Sequence, residues 1–222
     1  MSKKKDVPLL MSAAGVIGGF IEKLVAKFRV LGALDQLYEL LVGDKSDDFI
    51  SQIVDLAMKM VNKTKPAFPI FKTITLGIHK SVKAYREALT NAGFRIGDWA
   101  SDILKKVQVS QSEIQLDLVI LSVAELGFKE ATRLDRIYAK AKELGLELCS
   151  PEVGPALRLA YPDQPYGEWL RIAMEPLAGS DDSLRVFKVV YGHDGRWLHS
   201  RYGLPDDLWL PGSRWVFVLP RK

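Results

Sequence analysis

An α+β fold follows from three features of this sequence. Apolar residues recur at three- and four-residue steps through its first part, the mark of helices with one buried face. Its last part carries β-branched and aromatic runs broken by Gly, Pro and Asp, the mark of strands and turns. Four of the five tryptophans, Trp169, Trp197, Trp209 and Trp215, fall in that last part. The expectation is an N-terminal helical hairpin over 1–66, followed over 67–222 by an α+β domain with a C-terminal antiparallel β-sheet.

Ile17, Phe20, Ile21, Leu24, Phe28, Leu31, Leu34, Leu37 and Leu41 form one broad helical stripe from about Ala13 to Leu41, with a bend at Gly32. Gly43 closes it, and Ser46 or Asp47 caps a second helix carrying Phe49, Ile50, Ile53, Val54, Ala57 and Met60 on one face. Asn62 to Pro69 reads as a linker. Ile70 to Ile78 alternates as a strand, and a helix follows from His79-Lys80-Ser81 to about Asn91. A short helix is expected over Asp98 to Lys106, a buried strand over Ile114 to Val123, and a helix from a Thr132 cap to Leu144, stopped by Gly145. Glu152 to Tyr161 reads as extended. Strands are expected over Trp169 to Met174, Leu184 to Val190, Arg196 to Tyr202 and Arg214 to Leu219, with a hairpin signal at Asp194-Gly195.

Composition bounds the function without naming it. The net charge is +4, and all of the excess lies ahead of Pro151, because the tail balances nine basic residues with nine acidic ones. The tail's cations are mostly Arg, suited to stacking and to bidentate pairing, whereas the first part is Lys-rich, as solvated helix faces are. A single cysteine, Cys149, excludes an intramolecular disulfide and any multi-cysteine metal site, and fits a cytoplasmic protein. The start, Met1 to Ile21, superficially resembles a signal peptide, but Asp6 and Pro8 interrupt that design. The uncharged run from Val7 to Ile21 is shorter than the roughly 20 residues that span a bilayer.

FKTITLGIHKS (Phe71 to Ser81), IGDWASDIL (Ile96 to Leu104), VAELGF (Val123 to Phe128), ELGLELCSPEVGPALRLAYPDQPYGEWLRIAMEPL (Glu143 to Leu177) and the terminal RWVFVLPRK stand out as motifs. Through them the chain resembles a family of uncharacterised bacterial proteins, from about Phe71 to its end. The resemblance implies no chemistry. It leaves the first 66 residues outside, which supports a boundary near Pro66.

Several constellations invite a functional reading. Thr75 to Ser81 is loosely phosphate-loop-like, with Gly77 before a helix start and Lys80 for charge, but it lacks the second glycine of the true motif. Lys129, Arg133, Arg136 and Lys140 form a basic row beside an apolar stripe. With Ala124 to Phe128 ahead of it, the layout is helix–turn–helix-like and could lie along phosphates. His193 and His199 with Asp194, Cys149 with a distant histidine, and Glu168 among Arg158 and Arg171 are the candidate catalytic groups, each with an ordinary packing or ion-pair role beside it. Trp209, in a Pro- and Asp-rich loop, is the expected exposed aromatic.

The favoured expectation is a non-enzymatic interaction protein. It would self-associate or dock a protein partner through residues 1–66 and recognise a partner with Trp209, using no cofactor and no metal. The alternative is a nucleic-acid-binding accessory protein using Lys80, Lys83, Arg133, Arg136 and Lys140. A second alternative is a hydrolase-like enzyme on Glu168, His193 or His199, and membrane contact by the N-terminal helices ranks behind the protein partner.

Overall fold

Gly32 interrupts the long apolar stripe. The computed structural model, which describes residues 19, 21–44, 46–64 and 68–221, has a helix over 21–30 (α1) that ends at Gly32 with φ +66°. The Gly32 amide donates to the Arg29 carbonyl and the Ala33 amide to that of Phe28. This crossed pair satisfies carbonyls at a helix end when the next residue takes the left-handed conformation, which glycine does at little cost. α2 (Leu34–Val42) starts afresh beyond it, so the expected single bent helix is two. Gly43 closes α2, its amide donating to Glu39. α3 (Ser46–Thr64) follows, with Asp47 and Asp48 in its first turn, where unpaired amides favour carboxylates. α2 packs against α3. Among the described side chains of these helices Leu37 alone is buried. The signal-peptide-like start to residue 18 and the centre of the expected linker, 65–67, lie outside the described residues. Among the described residues no helix is long and apolar enough to cross a membrane.

The chain divides into two units, Met1–Lys65 and Pro66–Lys222. In the second, β1 (Lys72–Leu76), β2 (Arg95–Ile96), β3 (Ile114–Ser122), β5 (Trp169–Ile172), β6 (Leu177–Ala178), β7 (Leu184–Gly192), β8 (Gly195–Tyr202) and β10 (Arg214–Leu219) form one mixed sheet. Its order is β1-β3-β10-β5-β7-β8-β2, with β6 beside β7. β4 (Thr132–Arg133) and β9 (Leu208–Trp209) pair separately. The C-terminal strands are not a purely antiparallel sheet. β7 and β8 are an antiparallel hairpin, but β10 runs parallel to β5 and β2 parallel to β8. The reason is topological: the chain leaves β8 far from β3 and returns through 203–213 to insert β10 between β3 and β5.

Four helices complete this unit: α4 (Val82–Asn91), α5 (Asp98–Leu104), α6 (Leu134–Glu143) and α7 (Val153–Ala160). α7 replaces the extended segment expected over Glu152 to Tyr161. Pro155 falls in the first turn, where no intrahelical amide is needed, and Gly154 sits where a Cβ would stand 2.7 Å from the Phe187 ring. Thr132 pairs in β4 instead of capping α6, and 123–127 is a turn, so no helix–turn–helix forms. Leu170, Phe187, Val189, Leu198 and Val216 are wholly buried on the sheet face against which α7 and α5 pack. On the other face Trp215, also wholly buried, meets Tyr138 of α6 edge-on at 5.7 Å and Trp209 of β9 at 4.8 Å. Beyond Trp215 that second face stays half open.

Candidate functional site: a cationic and aromatic strand face

Strand alternation builds the open face. On β5, β7 and β8 the residues Leu170, Val189 and Leu198 turn into the core, so their neighbours Arg171, Lys188 and His199 turn out. The register sets Arg171 opposite Lys188 and Lys188 opposite His199, one row across three strands. One step along, Trp169 and Trp197 flank Val190. Arg201, two residues beyond His199, shares the face. Residues two apart on a strand stand about 7 Å apart, and adjacent strands about 4.8 Å. A row of indoles thus lies beside a row of cations.

The side chains are organised by these neighbours. The Lys188 ammonium lies 4.4 Å over the Trp169 ring, and the Arg171 guanidinium 4.9 Å over Trp209. His199 stacks on Trp197 at 4.8 Å, and the Trp197 indole donates to Asp194 at 3.1 Å. Trp169 is 50% exposed, Arg171, Lys188, Trp197 and His199 are half-buried, and Arg201 is exposed.

Electrostatics marks this cluster off from the cations that sit in ion pairs. Among the described residues Arg171, Lys188 and Arg201 form no ion pair, whereas Arg133, Lys140, Arg185, Arg214 and Arg221 each hold a carboxylate. Burial, then the charges of Arg171 and Arg201, hold the Lys188 ammonium below its ordinary pKa. Burial and then Arg201 lower that of Arg171. His199 is pushed below the usual imidazole range by burial and Lys188, against the opposing pull of Asp194 and Asp98. Like charges at half-buried positions cost stability, and an anion resting among them would relieve that cost. The face continues into a cleft of about 720 Å³ lined by Tyr166, Trp169, Arg171, Leu210 and Arg214.

The residues singled out from the sequence fall elsewhere. Trp209, expected exposed, is 7% exposed and wedged between Trp215 and Arg171, because β9 pairs with β4 and turns the indole inward. Lys80 donates to the Gln111 carbonyl at 2.9 Å. Arg133 is paired with Asp135 at 2.8 Å and Lys140 with Glu143 at 3.0 Å, both one turn or less away on their own segment. Arg136 is exposed on α6. Lys80 precedes α4, so the structure does not bring it to the α6 row. The phosphate-loop-like turn already holds an anion, the chain's own Glu152. That carboxylate accepts from the Gly77 amide at 3.0 Å, the Tyr85 hydroxyl at 2.8 Å, and the Ser110 amide and hydroxyl at 2.8 and 2.6 Å. Gly77 has φ +73°, and a Cβ there would stand 2.0 Å from the Ser112 carbonyl. His79 tilts onto Tyr85 at 4.8 Å beside a pocket of about 290 Å³.

The catalytic candidates do not assemble. Cys149 is buried, its thiol donates to the Val216 carbonyl, and burial pushes its pKa up. Glu168 pairs with Arg214 at 2.6 Å. His193 lies in the β7–β8 turn while His199 lies on the strand face. Among the described residues no group of three or more His, Cys, Asp or Glu is placed to hold a metal ion. Lys188 was not legible as a site residue. Its signal is weak, a lone cation at an inside–outside alternation, and it gains meaning only beside Arg171 and His199. No family model matches the chain, and neither a curated protein nor a solved structure matches it.

Proposed function

We propose that the second unit is a non-enzymatic binding module that holds an anionic ligand on the face of β5, β7 and β8. The observation that carries this reading is the set of three neighbouring cations, Arg171, Lys188 and Arg201, with no carboxylate partner among the described residues. Half-burial of Arg171 and Lys188 strengthens the field, and the flanking indoles give flat apolar surface. Binding of labelled heparin, a polyanion without aromatic rings, tests it by fluorescence anisotropy. Lys188→Glu and Arg201→Glu, each in the full chain, are expected to weaken binding about tenfold at low salt, with a smaller difference at high salt. Parent-like binding by both variants, with loss in Arg133→Glu plus Arg136→Glu, returns the function to α6 and overturns the proposal.

A second reading concerns the first unit, proposed here as a self-association module, a helical hairpin in its simplest form. Val30, Leu31, Tyr38 and Val42 are 85%, 73%, 64% and 65% exposed. α1 exposes Lys23, Lys27 and Arg29 beside Glu22, whereas the described side chains of α2 and α3 expose Asp35, Glu39, Asp47 and Asp48. Opposite charges beside apolar surface in one module suit a second copy in antiparallel register. Light scattering is expected to show a lower oligomer order for Leu31→Glu with Val42→Glu, and for a chain lacking residues 1–66. An unchanged order in both sinks this reading.

A further inference from the structure

We infer that the anion on the strand face is the backbone of a single-stranded nucleic acid, with a base stacked against Trp169. The inference rests on the anion-binding reading and adds a ligand class to it. It also moves nucleic-acid contact away from Lys80 and the α6 cations, which the fold separates or pairs internally.

A single strand presents one flat base and one phosphate per repeat, so a protein that follows it needs stacking and cationic positions alternating along the path. The sheet supplies this alternation by pleat and register alone. Trp169 and Arg171, two residues apart on β5, give one stacking and one cationic position, while Trp197 on β8 is already stacked on His199. Lys188, between these strands on β7, completes the cationic row. Arg201 continues the positive surface along β8, and Arg95 lies 5.3 Å over Trp197 at the β2 edge, where Asp194 at 3.5 Å partly neutralises it. The charged surface therefore runs on past the size of one phosphate.

The shape of the face discriminates among anions. A mononucleotide or other small anion is normally engulfed in a concave pocket. Here the cleft of about 720 Å³ takes in Trp169 and Arg171 but not Lys188, His199 or Arg201, so the cationic row runs beyond one concave pocket. A duplex could use the cations but hides its bases, leaving the half-exposed Trp169 without a stacking partner. An acidic peptide could use the cations too, yet brings no flat ring at each repeat. Open sheet faces with aromatic platforms suit unstacked bases.

The test compares three probes on the full chain by fluorescence anisotropy: a twelve-nucleotide oligouridine, an abasic phosphodiester strand of equal length, and heparin. The oligouridine is expected to bind about tenfold more tightly than the abasic strand. Trp169→Ala should remove that preference, so that oligouridine and abasic strand bind alike, and Trp169→Tyr should restore most of it. Lys188→Glu should weaken all three. Equal binding of oligouridine and abasic strand, with heparin still sensitive to Lys188→Glu, overturns the nucleic-acid inference and leaves the anion-binding reading standing. Tighter binding of a duplex than of the oligouridine also overturns it. If none of the three probes binds, both fall.

Discussion

At the scale of single residues, Glu152 and Lys188 represent opposite solutions to a half-buried or buried charge. Glu152 is 1% exposed, yet four donors from three separate segments converge on it. Burial alone would raise its pKa, and the hydrogen bonds from Ser110, Gly77 and Tyr85 outweigh burial and hold it below the ordinary glutamate value. A carboxyl whose folded pKa is depressed contributes stability that is complete above its unfolded pKa and lost as the pH falls through the folded one. Glu152→Ala leaves several buried donors unpaired and is expected to cost about 3 kcal/mol at neutral pH, a deficit that shrinks under acid. Chemical denaturation followed across pH checks this, and a deficit independent of pH between neutrality and acid contradicts it. Lys188 has the reverse arrangement, with cations around it and no acceptor. Neither role could be read from the sequence, where Glu152 stands as one acid among nine in the tail and Lys188 as one of its two lysines.

At the scale of elements, strands were the more legible and their neighbours the less so. The runs at Ile114–Ser122, Leu184–Gly192 and Arg214–Leu219 form strands because β-branched and aromatic residues suit a pleated surface. α7 stands where an extended segment was expected over Glu152 to Tyr161, and the glycine and proline that break helices in most contexts each have a positional use here. Pro155 occupies the first helical turn, and Gly154 permits close approach of the helix to β7. Gly154→Ala is therefore expected to push α7 off Phe187 and destabilise the second unit by about 1–3 kcal/mol despite alanine's better helix propensity. A raised midpoint in thermal denaturation would show that propensity prevails over packing there. Thr132 misled in the opposite sense: a good cap by type, it is taken by the β4–β9 pair, and α6 starts without a side-chain cap. Capping preferences are worth about 1 kcal/mol and yield to tertiary pairing.

At the scale of the whole molecule, the α+β class was legible and the path of the sheet was not. Local patterns fix where strands form, but β10 enters between β3 and β5 and β2 joins the β8 edge, and those long-range parallel pairings make the sheet mixed; the first also carries Trp209 under Arg171. The candidate site has the same origin. Arg171, Lys188 and His199 are adjacent because of register, and no spacing in the sequence records which residues of three separated strands will face one another. The overall charge of +4 gives no hint either, since the tail that bears the site is neutral in sum. Its carboxylates Glu168 and Asp181 pair with Arg214 and Arg185, leaving the open face positive.

Amide and indole chemical shifts of the ¹⁵N-labelled full chain, followed while heparin is added, test this account most directly. The resonances expected to move belong to Trp169, Arg171, Lys188 and His199, with the Trp169 indole among the largest changes, and the movement is expected to disappear in Lys188→Glu. Shifts confined to α6, at Arg133, Arg136 and Lys140, with a silent strand face, would contradict it.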